Sequence, residues 1–213
     1  MTLTRDVPLD PSQSALLFVD VQNFSAHRKG AEFTGLSEAD FETKYGWYFD
    51  ELDARVIPNM QAIQNAARAA GVEVLYTTIE SLTLDGRDRS LDYKITGFHV
   101  PKGSWDGKVI DQIAPGPDEI VLPKSSSSVF ISTHIDYVLR NLGVRQLVIS
   151  GLVTDQCVES AIRDACDLGY LVTQVTDACL TYTSERHEGS LRTIKGYCRQ
   201  VTTEALVAEL AGA

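Results

Sequence analysis

The stretch 147–165, LVISGLVTDQCVESAIRDA, restricts the architecture more than any other part of the chain. Leu147, Val148 and Ile149 form a short, partly β-branched apolar run, which suits a buried strand. Ser150 and Gly151 close it, and Thr154 and Asp155 are both favourable N-cap residues. Val158, Ala161, Ile162 and Ala165 then recur at i, i+3, i+4 and i+7, one face of a helix that Gly169 stops. A buried strand leading directly into an amphipathic helix is half of a βαβ unit. Such units build parallel sheets covered on both faces.

The pattern recurs along the chain. Strands are predicted at 14–20 (SALLFVD), 72–78 (VEVLYTT), 119–122 (EIVL), 144–150, 170–175 and 198–202. Helical spacing covers 49–70, with Pro58 as a break or first turn, and also 132–142, 184–193 and 203–210. A short helix is expected at 109–113. Segments 23–48 and 81–117 read as long, mostly irregular coverings, the first rich in aromatics and suited to a lid or an oligomer contact. No repeat, low-complexity tract or linker interrupts the 213 residues, so 1–213 is expected to be a single α/β domain.

A formal charge of −10 disfavours nucleic acid and anionic membrane as partners. No apolar run approaches the length of a membrane span. Residues 1–14 carry Arg5, Asp6 and Asp10 and do not read as a signal peptide. The cysteines Cys157, Cys166, Cys179 and Cys198 show no metal-finger spacing, and reduced thiols in a cytoplasmic protein are the simplest expectation.

Three chemically active side chains fall at the carboxyl ends of predicted strands: Asp20, Lys124 and Cys157. Ligands of open parallel sheets bind at those ends. Cys157 lies in the first turn of its helix, where free N–H groups and the helix dipole favour a thiolate. A cysteine hydrolase needs a thiol, a base to take its proton, a cation beside both, and backbone N–H donors for the oxyanion. Asp20 can be the base, Lys124 the cation, and the turn 152–157 the donor. Each residue also has an ordinary reading: a buried structural cysteine, a turn-starting aspartate, a solvated lysine. Gln22 and Glu80 near strand ends, with Trp105 and Phe130 as apolar walls, are candidate substrate contacts and equally candidate structure. A redox-sensing Cys157 and a non-catalytic binding protein of the same fold are the competing readings.

VDVQ at Asp20, LPK at Lys124 and SGLVTDQCV at Cys157 resemble the isochorismatase-like cysteine hydrolases over nearly the whole chain. The resemblance implies a three-layer α/β/α fold with a six-stranded parallel sheet in the order 3-2-1-4-5-6. It implies Cys157 as nucleophile, Asp20 as base and Lys124 as their partner. It also implies a cis peptide at 152–153, with the N–H groups of Val153 and Cys157 as oxyanion hole. The presence of Cys157 points to the amidase branch, which cleaves terminal amide or ureido bonds of small molecules through a thioester. The metal-binding nicotinamidases carry an Asp-x-His that this chain lacks between strands two and three, so neither metal nor cofactor is expected. Residues 102–124 are similar to enzymes that release ammonia from ureido groups, with ureidoacrylate, N-carbamoylsarcosine, biuret and maleamate hydrolases as relatives. Such relatives imply a homo-oligomer, a dimer or tetramer.

Overall fold

In the computed structural model, which describes residues 4–212, the apolar runs become six strands. They are β1 (Ser14–Val19), β2 (Glu73–Ile79), β3 (Ile120–Lys124), β4 (Gln146–Leu152), β5 (Leu171–Leu180) and β6 (Arg199–Val201). They form one sheet in the order β3-β2-β1-β4-β5-β6, with every neighbouring pair parallel. This is the order the resemblance implied. Parallel neighbours require crossovers, and the helices supply them. They are α1 (Asn23–Ala26), α2 (Glu38–Glu51), α3 (Ile57–Ala69), α4 (Leu91–Thr96), α5 (Val129–Ser132), α6 (Ile135–Asn141), α7 (Glu159–Asp167), α8 (Ser184–Ile194) and α9 (Thr203–Ala211).

Strand β1 is buried along its whole length because both faces of the sheet are covered. Successive side chains of a strand point to opposite faces. Leu16 and Phe18 join Tyr48, Met60, Ile63, Leu206 and Leu210 from α2, α3 and α9. Ala15, Leu17 and Val19 join Leu139, Ala161, Ile162 and Ile194 from α6, α7 and α8.

Three expectations change. Segment 23–48 is not irregular throughout, because α2 occupies its second half. Ser37 caps α2 by accepting from the Asp40 N–H, and Phe41, Tyr45, Tyr48 and Phe49 repeat at helical spacing on its inner face. Phe33 packs edge-on against Phe41, Tyr45 and Phe49, so these aromatics are core rather than an oligomer contact. The second change is that α2 and α3 form one helical run through a π-turn at Leu52–Val56. That wider turn, in which the Ile57 N–H donates to Leu52 O, accommodates Pro58 near the start of α3. The third is that β3 includes Pro123 and Lys124, paired with Thr78 and Ile79. Proline is tolerated there because β3 is an edge strand.

At Gly151, β4 lies hard against β1. The glycine φ is +144°, and a Cβ there would stand 2.2 Å from Val19 O. Gly151→Ala is therefore expected to lower the unfolding free energy by about 2 kcal/mol or more, read from the denaturation midpoint. A shift inside measurement error would show that the strands can separate at this point.

Candidate active site

The carboxyl ends of β1, β3 and β4 bring the three side chains together. Asp20 follows β1 at φ 54°, a left-handed conformation that a short polar side chain tolerates. Its N–H donates to Thr77 O (3.0 Å), and its Oδ1 accepts from Thr77 Oγ1 (3.0 Å). Its Oδ2 lies 2.8 Å from Lys124 Nζ. Lys124 ends β3 and is fully buried. Its ammonium also donates to Ser126 O (2.8 Å) and to Cys157 Sγ (3.3 Å), with Tyr93 Oη at 3.4 Å.

Cys157 sits in a π-turn, Thr154–Val158, that links β4 to α7. The N–H groups of Gln156 and Val158 both donate to Val153 O (3.1 and 3.4 Å), and the Leu152–Val153 peptide is cis. The turn is tied to the β5–α8 corner. Asp155 accepts from Thr181 Oγ1 (2.7 Å) and Arg186 Nε (2.6 Å). Thr154 Oγ1 contacts His187 Nδ1 at 2.8 Å. The two polar residues that read as helix caps in the sequence do not cap α7, whose N-cap is Val158; they anchor the turn that carries the thiol instead.

A cavity of about 340 Å³ opens over these groups, lined among others by Asp20, Val153, Cys157, Tyr93, Glu32 and Tyr182. Tyr93 comes from α4, which Ser90 caps by accepting from the Tyr93 N–H. Ser81 and Ser90 N–H groups bond to Val100 O and Ser125 O (both 2.9 Å) and pin the covering segment to the sheet. Glu32 comes from a short 3₁₀ turn, Ala31–Phe33, after α1.

Burial pushes the Cys157 thiol up to about 12, against the downward pull of the Lys124 ammonium, and the Asp20 carboxylate adds to the rise. The sequence reading expected a lowered value from the helix start. The buried site reverses it, because desolvation of a thiolate there outweighs the pull of Lys124. Burial pulls the Lys124 ammonium downward, but Asp20 and the neighbouring thiol and phenol outweigh it, so the amine is held charged. Burial also pushes the Glu32 carboxyl up to about 7, partly offset by the hydrogen bond from Tyr182 Oη.

The four candidate substrate contacts lie elsewhere. Gln22 is fully buried and donates to Ile79 O (2.8 Å) and Asp106 O (2.9 Å), while its Oε1 accepts from the Ile79 N–H (2.5 Å). Every polar atom of its amide is spent on the main chain. Glu80 accepts from the Gly103 N–H (3.1 Å) and shapes the covering segment. Trp105 is half-exposed and edge-on to His27, and Phe130 packs near Tyr170. None of the four lines the cavity. Glu32, Tyr93, Phe98 and Tyr182 do line it, from segments where spacing gives no sign of which side faces the thiol. Among the described residues no cluster of three or more His, Cys, Asp or Glu side chains could hold a metal ion, and no helix is long and apolar enough to cross a membrane.

A six-stranded parallel sheet of this order, flanked by helices, is the isochorismatase-like α/β fold. The chain belongs to the isochorismatase family, whose domain model matches residues 14–205. It is 30% identical to ureidoacrylate amidohydrolase RutB of Rhizobium rhizogenes (strain K84 / ATCC BAA-868) over 226 residues, covering 93% of this chain and 87% of that protein. A RutB of Agrobacterium fabrum (strain C58 / ATCC 33970) is 29% identical, covering 95% and 96%. Among solved structures, a cysteine hydrolase from Pseudomonas syringae pv. phaseolicola 1448A superposes with a TM-score of 0.82 at 24% identity, covering 97% of this chain and 96% of that one. An N-carbamoylsarcosine amidase from Thermoplasma acidophilum gives 0.67 at 25% identity, covering 90% and 97%.

The raised Glu32 carboxyl has a consequence for stability. The folded state holds this proton more tightly than the unfolded chain, whose glutamates ionise near 4.5, so ionising Glu32 costs stability as pH rises from 4.5 through about 7. Glu32→Gln is expected to gain on the wild type by roughly 1–2 kcal/mol at pH 8, with the gain shrinking towards pH 5. Urea unfolding across that range would show it. A gain that is the same at every pH would contradict the assignment.

Proposed function

We propose that this isochorismatase-family chain is a cysteine amidohydrolase that cleaves a terminal amide or ureido C–N bond of a small molecule and releases ammonia. The observation that carries the reading is the single ammonium of Lys124 in contact with both Asp20 and Cys157 beside a cavity. Relatives named for ureidoacrylate and N-carbamoylsarcosine support a ureido or carbamoyl group as the reacting end.

In this reading Asp20 takes the Cys157 proton as Sγ attacks the carbonyl carbon. The N–H groups of Val153 and Cys157 hold the oxyanion. Its collapse breaks the C–N bond, and Asp20 returns the proton to the leaving nitrogen, which departs as ammonia. Asp20 next deprotonates a water that attacks the thioester; the acid product leaves and the thiol regains its proton. Lys124 reacts with nothing. It keeps the carboxylate and the sulfur within reach of each other and offsets whichever is anionic.

Cys157→Ala, Asp20→Asn and Lys124→Met are each expected to reduce ammonia release from a ureido substrate by about 10³-fold or more. The double variant Asp20→Asn/Cys157→Ala should lose little beyond either single one, because the residues act as a unit. Near-wild-type turnover by Cys157→Ala would refute the covalent route.

We further propose a homo-oligomer. Its support is no longer the aromatic segment, which packs inward, but Leu84, Leu91 and Ile95, apolar side chains left largely exposed on the covering segment. Light scattering should give a mass of two chains or more, and Leu91→Glu/Ile95→Glu should shift it towards the monomer. A monodisperse wild-type monomer at assay concentration would defeat this.

A further inference from the structure

The charge inside the cavity bears on the half of the substrate that does not react, an inference that rests on the amidohydrolase reading above. Among the described residues the charged side chains lining the cavity are Asp20, Glu32 and Asp92, with no lysine, arginine or histidine. Lys124 lies just behind, but its ammonium is already ion-paired with Asp20 and surrounded by Tyr93 Oη, Ser126 O and Cys157 Sγ as acceptors. A substrate carboxylate would therefore find no free cation and at least one fixed acid. A neutral N–H donor would find acceptors.

Glu32 Oε2 and Asp20 Oδ2 are both buried without a hydrogen-bond partner among the described residues, but Asp20 Oδ2 lies 2.8 Å from the Lys124 ammonium, so Glu32 is the acid with an unmet demand. Its Oε1 accepts from Tyr182 Oη, while its Oε2 is buried with no hydrogen-bond partner. An unpaired buried carboxylate oxygen is costly, and a ligand N–H is a natural donor to it. The residue is also held in place. A Cβ on Gly30 would stand 2.1 Å from Phe24 O, so only glycine lets the loop lie this close to α1. The Ala31 N–H donates to Asp106 Oδ1 (2.9 Å) on the other side. Tyr182, at the end of β5, clamps the carboxylate itself.

We propose that Glu32 determines specificity, selecting small ureido or amide substrates whose far end is a neutral N–H donor, such as a carboxamide, over those that end in a carboxylate. The ligand pair N-carbamoylglycinamide and N-carbamoylglycine differs in that end alone. Titrated by calorimetry into the Cys157→Ser variant at about pH 8, where Glu32 is ionised, the amide should bind about tenfold tighter or more, since a like charge opposes the acid. Adding Glu32→Gln should bring the two affinities within about threefold. A merely structural role for Glu32 would weaken both ligands together and leave their ratio in place. Glu32→Gln removes a desolvated charge and keeps the shape, so the variant is expected to fold. The inference is overturned if the two ligands bind equally to Cys157→Ser, if neither binds, or if Glu32→Gln leaves the ratio unmoved. Selective binding of the amide by a wild-type protein that releases no ammonia from it would sink the amidohydrolase reading and leave the role of Glu32 standing.

Discussion

The buried ammonium of Lys124 is the constraint on which the arrangement of strand ends depends. A lysine with no solvent exposure is sustained only when its charge is matched and its protons are used, since an uncompensated buried ion costs several kcal/mol. Asp20 supplies the charge at 2.8 Å, and Ser126 O, Cys157 Sγ and Tyr93 Oη accept from the ammonium. Each partner comes from a different part of the chain. For Nζ to reach all of them, β3 must run on to Lys124 in register with Ile79, and β1 must turn sharply at Asp20. Gly151 lets β4 lie against Val19, which brings the thiol-bearing turn close to the end of β1. The central position of β1, between β2 and β4, is what lets one cation serve an acid and a thiol from separate crossovers.

Much of this was legible in the sequence because strand ends announce themselves. An apolar run that stops at Asp20, Lys124 or Ser150–Gly151 marks both a buried strand and the polar residue at its carboxyl end. The alternation of strands and helices then places those ends on one edge of the sheet. What one periodicity cannot separate was read less well. In 38–51 the aromatics sit at helical spacing among charges, a helix signal that their number disguised as a lid. In 52–57 an interposed π-turn shifts the register, so the apolar stripe does not run evenly past Pro58.

The residues expected to face substrate do not line the cavity, for a different reason. Gln22 and Glu80 follow strand ends, the same cue that located Asp20, yet both are consumed by main-chain groups of the covering segments. A polar residue at a strand end has two uses, to face the ligand or to fasten the loop above it. Which one applies depends on where that loop goes, which is tertiary information. Glu32 and Tyr182 are 150 positions apart and meet only because the loop after β1 folds back over the end of β5. No local pattern records such a meeting.

The thiol value bears on how the proposed chemistry runs. Burial raises the Cys157 thiol, which disfavours a resident thiolate waiting for substrate. In the proposed route Asp20 takes the proton as the sulfur attacks. That transfer converts a carboxylate beside a thiol into a carboxylic acid beside a sulfur anion. Total charge is conserved, and both groups lie against Lys124 before and after. The buried cation therefore never loses its counter-ion, and the desolvation that makes a free thiolate expensive is not incurred a second time. Dryness and a raised thiol are then compatible with a cysteine nucleophile, provided that its base lies within reach and their common cation is fixed by the sheet.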